Sequence, residues 1–260
     1  MKIAVCVKQT IDTEAVITLD ADGRVVTEGA ALIIDPYAEF AVEKAVQLKE
    51  AHGGEVVIVT VGTQDDVPAI RHALSMGADR AILVEDASID VTNPLAKARV
   101  LSSVLLEEEP DLIMGGYKSG DTSQAQTLPR VATIMGLPQV GWVTGVEIEG
   151  SIALVDHELD DGIEQISVAL PALFTAQQGL AEPRYPTVRD IMQSKKKPID
   201  TKDLAALGID ASQVGPESAQ VRVISYALKP ERAGGRIVEG DTCDAVAETA
   251  SLLANEAKVL

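Results

Sequence analysis

Aromatic residues are scarce in this chain of 260 residues: phenylalanine, tyrosine and tryptophan together make up only 3% of it. The hydrophobic core must therefore consist of aliphatic side chains, mainly valine, isoleucine, leucine and alanine. Hydrophobic residues still account for 46% of the sequence and charged residues for 24%, which is typical of a globular protein and excludes a mainly disordered one. The length suits one large domain, or one domain with a sizeable appendage.

Cysteine and histidine are also rare, with two and three residues. Cys6 lies in an apolar run typical of a strand, so we expect a buried free thiol, and the histidines lack the spacing of metal ligands. The sequence predicts neither a disulfide framework nor a metal site. It has no apolar run long enough to cross a membrane, and residues 1–7 lack a signal-peptide pattern. We therefore expect a cytoplasmic protein that does not insert into membranes.

Positive charge is in short supply, with 22 lysine and arginine residues against 40 aspartate and glutamate residues. The resulting net charge of −18 would repel nucleic acids and anionic lipid surfaces. Neither is expected as a partner.

The first 140 residues alternate between strand and helix signals. Helices are expected to begin at Asp35 and Asn93, each followed by proline, and also near 65–68 and 127. Apolar runs predict strands at 3–7, 56–61, 81–84 and 111–114. This order predicts an α/β fold with a doubly wound parallel sheet, whose ligands bind at the carboxyl ends of the strands.

The pattern changes after Pro138. Extended segments at 141–149, 151–158 and 163–169 predict a small antiparallel addition. Residues 171–200 are interpreted as an ordered connection that completes a domain spanning 1–200. Residues 201–260 are interpreted as an extended C-terminal arm ending in a helix at 243–256. That helix packs on another chain or on its own domain, and the pattern alone favours neither.

The sequence contains no G-x-G-x-x-G, G-x-x-x-x-G-K-[ST], G-x-S-x-G or H-E-x-x-H motif. The most informative segment is 116–127, which is rich in small hydrogen-bonding residues between a strand and a helix. Such a segment is typical of an anion cradle, in which Asp121 would meet a ribose hydroxyl or order the loop. The alternative is a merely solvated loop. Asp160 and Asp161 indicate a turn rather than a pair of catalytic carboxylates, and we expect no enzymatic activity.

Several segments resemble the electron transfer flavoprotein β subunit, and together they span nearly the whole chain. The block at 170–199 is highly specific and includes L-P-A-L-F-T at 170–175 and P-R-Y-P-T at 183–187. Supporting segments lie at 1–9, 35–43, 73–80 and 160–164.

The resemblance implies a nucleotide-binding fold of the adenine nucleotide α-hydrolase type. It implies a heterodimer with an α subunit that holds the redox FAD, and a structural AMP in the β subunit. The heterodimer would take electrons from donor dehydrogenases and pass them to a quinone oxidoreductase or another acceptor. Two alternatives remain at this point. One is an electron-bifurcating β subunit with FAD in the AMP site, and the other is a stand-alone universal-stress-type nucleotide sensor.

Carried over by position, the resemblance also implies site residues. The AMP site would consist of Cys6, Asp35, Pro36, Tyr37, Ala38, Val61, Gly116, Tyr117, Lys118, Ser119, Gly120, Asp121, Thr122, Ser123, Gln124, Ala125, Gln126 and Thr127. The partner-docking loop at 183–194 would use Pro183, Arg184, Tyr185, Val188, Ile191 and Met192. Asp35 stands where many members have asparagine, and Val188 where leucine is commoner. Tyr37 would also lie near the flavin edge.

Overall fold

The computed structural model describes residues 1–221, 223–230 and 234–259. Its strands are β1 (Lys2–Cys6), β2 (Gln9–Ile11), β3 (Leu32–Ile34), β4 (Glu55–Val61), β5 (Arg80–Val84), β6 (Leu112–Gly116), β7 (Gln139–Glu149), β8 (Ile152–Leu159), β9 (Gly162–Ala169), β10 (Ala172–Ala176) and β11 (Ile199–Lys202). Its helices are α1 (Pro36–His52), α2 (Val67–Met76), α3 (Pro94–Glu108), α4 (Thr127–Met135), α5 (Val188–Ser194) and α6 (Thr242–Asn255).

A nine-stranded sheet in the order β11-β5-β4-β1-β6-β10-β7-β8-β9 forms the centre of the molecule. The strands from β11 to β7 pair in parallel, and β7, β8 and β9 pair antiparallel. The predicted antiparallel addition is therefore a continuation of the main sheet. Strands β2 and β3 form a separate antiparallel pair.

The sheet is covered on both faces because its central strands are apolar on both sides. In β1, Ile3 and Val5 pack into one hydrophobic cluster with α1 and α2, whereas Ala4 packs into the other with α3 and α4. All three side chains are fully buried. This arrangement confirms the predicted doubly wound α/β fold.

Local signals account for the helix starts. Asp35 caps α1 and Asn93 caps α3 by accepting hydrogen bonds from backbone N–H groups, and a proline follows each cap. Helix α5 begins with a capping box, in which Thr187 and Asp190 each bond the other's backbone. Helices α1 and α3 begin where the sequence predicts them.

The structure differs from the prediction that residues 171–200 form a connection. It contributes β10, whose five residues are all buried between β6 and β7, and the edge strand β11. A short strand buried on both faces has no alternation of polar and apolar residues, so periodicity does not separate it from an apolar linker.

The chain also stays packed on the domain beyond residue 200. Leu204, Leu207 and Val214 are buried in the cluster that contains α3, and Arg99 of α3 donates a 2.5 Å hydrogen bond to the Gln213 carbonyl. The extended part of the predicted arm accordingly starts near residue 219, and α6 has no buried residue. The arm also contains Arg222, residues 231–233 and Leu260, which lie outside the described residues.

None of the helices in the described ranges has both the length and the apolar character that a membrane span requires.

Candidate functional site

The fold brings two loops together at one edge of the sheet. Strands β1 and β6 are neighbours, but the chain leaves β1 towards α1 on one face and leaves β6 towards α4 on the other. The two loops diverge and leave a crevice at the carboxyl ends of the strands, which is where doubly wound sheets bind ligands.

A cleft enclosing about 720 Å³ of empty space, including its open mouth, occupies this position. Its lining consists of Cys6, Val7, Lys8, Asp35, Ala38, Val59, Val61, Lys97, Leu101, Gly116, Tyr117, Lys118, Ser119, Thr122, Gln124, Ala125, Gln126, Thr127 and Leu128.

Asp35 joins the two sides of the cleft. One carboxylate oxygen accepts hydrogen bonds from the backbone N–H groups of Tyr37 (3.1 Å) and Ala38 (3.4 Å), and the other accepts one from Gly120 (2.6 Å). Burial raises the pKa of this carboxyl, although the three backbone donors oppose the shift. Both oxygens of Asp35 accept hydrogen bonds from the protein backbone, so the main role of this carboxylate is to shape the cleft.

The loop after β6 approaches the backbone of α1 closely. A side chain at Gly116 would come within 2.7 Å of the Tyr37 Cβ and 3.0 Å of the Ala38 nitrogen, so this position requires glycine. Ser123 and Ala125 have φ angles of 49° and 52°, in the left-handed region that non-glycine residues seldom adopt. The loop is also held by its own amides, since Ser123 donates to the Ser119 carbonyl and Thr122 to the Asp121 carboxylate.

Helix α4 begins at the inner end of this loop without a side-chain cap. The amides of Thr127 and Leu128 precede the first intrahelical hydrogen bonds, and Pro129 has no amide hydrogen to offer. Both residues line the cleft. The positive end of the helix is therefore available to a negatively charged ligand.

Three lysines line the cleft of a chain whose net charge is −18. Lys8 forms a 2.5 Å ion pair with Asp121, and Lys118 lies over the rings of Tyr37 and Tyr117. Burial would raise the pKa of Asp121, but the hydrogen bonds from Lys8, Ser119 and the Thr122 amide, together with the charge of Lys8, lower it. The cleft is thus a local basic site on an acidic protein.

An aromatic cluster lies at the mouth of the cleft. The ring of Tyr117 is 4.6 Å from that of Tyr37 and 5.2 Å from that of Trp142, measured between centroids. Trp142 is half exposed and has a φ angle of 51°. In a chain with so few aromatic residues, this grouping marks the mouth as a surface suited to a planar ring.

The second candidate site is the segment 183–194, which α1 anchors. Arg184 donates hydrogen bonds to the buried carboxylate of Glu43 (2.8 and 3.0 Å) and to the exposed carboxylate of Glu50 (2.7 and 3.0 Å). Burial would raise the pKa of Glu43, yet the hydrogen bonds from Arg184 hold it below its usual value. Arg184 therefore holds the segment in place and does not point to a partner.

Helix α5 is held from the other side by α2. Arg71 donates to the Ser194 and Lys197 carbonyls, and Lys197 donates to the carbonyls of Leu74 and Ala78. On this support the apolar side chains at Tyr185, Val188, Ile191 and Met192 are exposed. Exposed apolar side chains grouped in one short segment are a feature of surfaces that partner proteins bind.

Comparison with known proteins gives a consistent result. A family profile described as electron transfer flavoprotein domain matches residues 22–207. Electron transfer flavoprotein subunit beta of Bacillus subtilis is 37% identical, with full coverage of both chains. The protein of that name from Syntrophomonas wolfei is 40% identical over 100% of this chain and 98% of its own. The human one is 37% identical over 92% and 93%.

The chain belongs to the electron transfer flavoprotein β-subunit family. This agrees with the family suggested by the sequence motifs.

Most of the residues expected in the nucleotide site of this family member line the cleft. Pro36, Tyr37, Gly120, Asp121 and Ser123 do not. Each of these residues supports the cleft. Pro36 begins α1 after its cap, Tyr37 belongs to the aromatic cluster, and Gly120 donates to Asp35. Asp121 pairs with Lys8, and Ser123 forms part of the loop turn. The cleft residues that sequence reasoning missed are Val7, Lys8, Val59, Lys97, Leu101 and Leu128. The sequence did contain a signal for Lys8, which lies two residues after β1 at the ligand-binding edge, but it contained none for Lys97.

The anchoring of segment 183–194 predicts unequal effects at the two carboxylates that Arg184 contacts. We expect Glu43→Gln to lower the free energy of unfolding by about 2–3 kcal/mol, since it leaves a half-buried guanidinium without its buried anion. The matched variant Glu50→Gln lies at the exposed end of the same guanidinium and should cost less than about 1 kcal/mol. Urea unfolding monitored by circular dichroism measures both.

The pH dependence of this difference follows from the lowered pKa of Glu43. The ion pair contributes stability above the unfolded-state pKa of about 4.3, and this contribution is lost as the pH falls through the lower folded-state value. The gap between wild type and Glu43→Gln should therefore close in acid. Equal costs for the two variants at neutral pH would contradict the anchoring role.

Proposed function

We propose that this chain is the β subunit of a heterodimeric electron transfer flavoprotein that holds AMP in the cleft between β1 and β6. The α subunit would carry FAD, and the heterodimer would transfer electrons from dehydrogenases to a quinone oxidoreductase or another acceptor. The observation that carries the proposal is the cleft itself, in which an apolar floor meets a basic, amide-rich loop at the switch point of the sheet.

The two ends of the cleft match the two ends of a nucleotide. Val59, Val61 and Leu101 form an apolar region that suits an adenine ring. The loop 116–127 and the uncapped start of α4 supply backbone amides and hydroxyl groups that suit ribose and phosphate. The residues present therefore fit AMP.

The nucleotide in this proposal is structural. Cys6 lines the cleft, and burial raises the pKa of its thiol to about 12, so the thiol remains protonated at neutral pH. A ligand that binds only the folded state stabilises it, by about 2.7 kcal/mol at a hundredfold excess over its dissociation constant. AMP would thus hold together the loops after β1 and β6.

FAD supplies the electron-accepting chemistry when bound in the heterodimer. The aromatic cluster of Tyr37, Tyr117 and Trp142 offers a surface beside which a flavin ring would lie. This role is consistent with the position of Tyr37 implied by the family resemblance. The β subunit would then contribute packing and orientation, and no substrate chemistry of its own.

The nucleotide assignment predicts that Asp121→Ala lowers the AMP content and the melting temperature together. Asp121 pairs with Lys8 and accepts a 2.6 Å hydrogen bond from the Thr122 amide, so its loss loosens the loop. Asp161→Ala, at the exposed turn between β8 and β9, is the control with the same change in charge. Mass spectrometry of the ligands released on denaturation measures AMP per chain. Release of FAD in its place would support the bifurcating alternative, and unchanged AMP and melting in Asp121→Ala would count against the assignment.

The C-terminal arm is proposed to contain the surface that binds the α subunit. Several apolar side chains along it are exposed: Val221, Ile224, Tyr226, Leu228, Ile237 and Val246. Such a segment has too few contacts with its own domain to offset the entropy lost on ordering, so a partner chain is expected to cover it.

Truncation after Gln220 should leave a folded, AMP-binding domain that no longer forms the heterodimer. This end point retains Val214, which is fully buried, and the Arg99 contact to Gln213. Co-expression with the α subunit and size-exclusion chromatography measure assembly, and the flavin absorbance of the dimer fraction gives an independent readout. A wild-type yield of yellow heterodimer from the truncated chain would refute the role of the arm.

Segment 183–194 is proposed to bind the donor dehydrogenase, with Val188 at the centre. The Val188 side chain is 75% exposed on a helix fixed at both ends. Its replacement by alanine removes two methyl carbons and should cost about 1–2 kcal/mol if the contact is fully buried. The apparent affinity for the donor should therefore fall about five- to thirtyfold.

The measurement is the steady-state rate of electron transfer from the donor as a function of flavoprotein concentration. Val16→Ala is the matched control, because Val16 is 89% exposed and lies outside the segment. Flavin content and the melting temperature should be unchanged in both variants. A lower melting temperature in Val188→Ala with unchanged affinity for the donor would show that the docking assignment is wrong.

A further inference from the structure

Lys97 is the cleft lysine that the family resemblance does not assign. It lies in the second turn of α3 and lines the cleft together with Leu101, one turn further along the same helix face. No hydrogen bond or ion pair to its ammonium is present among residues 1–221, 223–230 and 234–259. By contrast, Lys8 pairs with Asp121.

A partly buried ammonium without a partner has an unfavourable desolvation free energy. Burial lowers the pKa of Lys97 to about 8, and the positive charge of Lys8 lowers it further, whereas Asp121 and Asp90 act at longer range in the opposite direction. Packing alone does not explain a lysine at this position. Leu101, one turn further along the same face of α3, is buried, so an apolar side chain can occupy this face without the cost of desolvating a charge.

The fold places Lys97 beside the uncapped end of α4. Helices α3 and α4 pack against each other on one face of the sheet, and each follows a parallel strand, so both begin at the same sheet edge. Lys97 lines the same cleft as Thr127 and Leu128, the two residues that begin α4. A cation and a helix N-terminus that converge on one space are complementary to an anion.

We propose that Lys97 binds the phosphate group of the nucleotide in the cleft, so that the charge of the ligand replaces the partner that Lys97 lacks within the chain. This inference rests on the proposed nucleotide function and assigns Lys97 as a residue that distinguishes a nucleotide from its nucleoside. Phosphate is the only part of AMP that carries charge at neutral pH, so the preference for AMP over adenosine isolates the contact.

The experiment compares the dissociation constants of AMP and adenosine for the full chain, by calorimetry after removal of endogenous nucleotide. In wild type, AMP should bind more tightly than adenosine. In Lys97→Met, which keeps the length of the side chain, AMP affinity should fall about 10- to 100-fold, as expected for a charge-assisted hydrogen bond. Adenosine affinity should change less than threefold, so the preference for AMP shrinks by the same factor.

Two further variants control for charge and folding. Lys196→Met removes the same charge from an exposed position outside the cleft and should leave both affinities unchanged. Lys97→Arg keeps the charge and should retain most of the preference for AMP. The melting temperature of unliganded Lys97→Met should equal or exceed that of wild type, because the substitution removes an unpaired, partly buried charge.

The pH profile gives a second readout. The charged groups around Lys97 are Lys8, Lys118, Asp35, Asp121 and Asp90, and Cys6 remains neutral because its pKa is about 12. Since the free Lys97 amine loses its proton near pH 8, AMP affinity of wild type should fall as the pH rises above 8. The profile of Lys97→Met should lack this component, and adenosine should show none in either protein.

An unchanged preference for AMP over adenosine in Lys97→Met would overturn the role of Lys97, even if nucleotide binding itself were intact. Equal losses for AMP and adenosine would overturn it too, since they would indicate a contact to the nucleoside. Failure of wild type to bind either ligand would refute the nucleotide function on which the inference rests.

Discussion

The contact between the Asp35 carboxylate and the Gly120 amide, at 2.6 Å, is the interaction on which the site depends. Asp35 belongs to the start of α1 and Gly120 to the loop after β6, so one side chain joins elements that leave the sheet in opposite directions. Without it, the backbone donors at the start of α1 and at Gly120 would lose their acceptor in a buried place. The shape of the cleft is therefore fixed by a carboxylate that is itself unavailable to a ligand.

The charge of the cleft is opposite in sign to the net charge of the protein. The overall charge of −18 disfavours the approach of any anion, yet the cleft contains lysines from three separate parts of the chain. Backbone amides add to this positive character without contributing net charge. The proposed selectivity for an anionic ligand would thus come from the cleft alone, while the acidic exterior disfavours nonspecific binding of polyanions.

The fold and part of the site are predictable because their signals are local. Doubly buried strands give apolar runs, and the Asp35-Pro36 and Asn93-Pro94 pairs mark helix starts. Strand β10 was missed because its position between β6 and β7 depends on pairing with residues far away in sequence. The same reason applies to Lys97. Nothing in its neighbours indicates a ligand, and only the packing of α3 beside α4 brings it to the cleft.

Helix α1 connects the two candidate sites mechanically. Its first residues are fixed by Asp35 at the cleft, and Glu43, about 12 Å further along the axis, anchors Arg184 of the docking segment. A helix is stiff over this length, because interior packing resists small displacements. Order in the cleft and order in segment 183–194 therefore rest on the same element. In the proposed function, a nucleotide that takes no part in electron transfer would still have a reason to be bound, because whatever stabilises the start of α1 would also support the proposed docking surface.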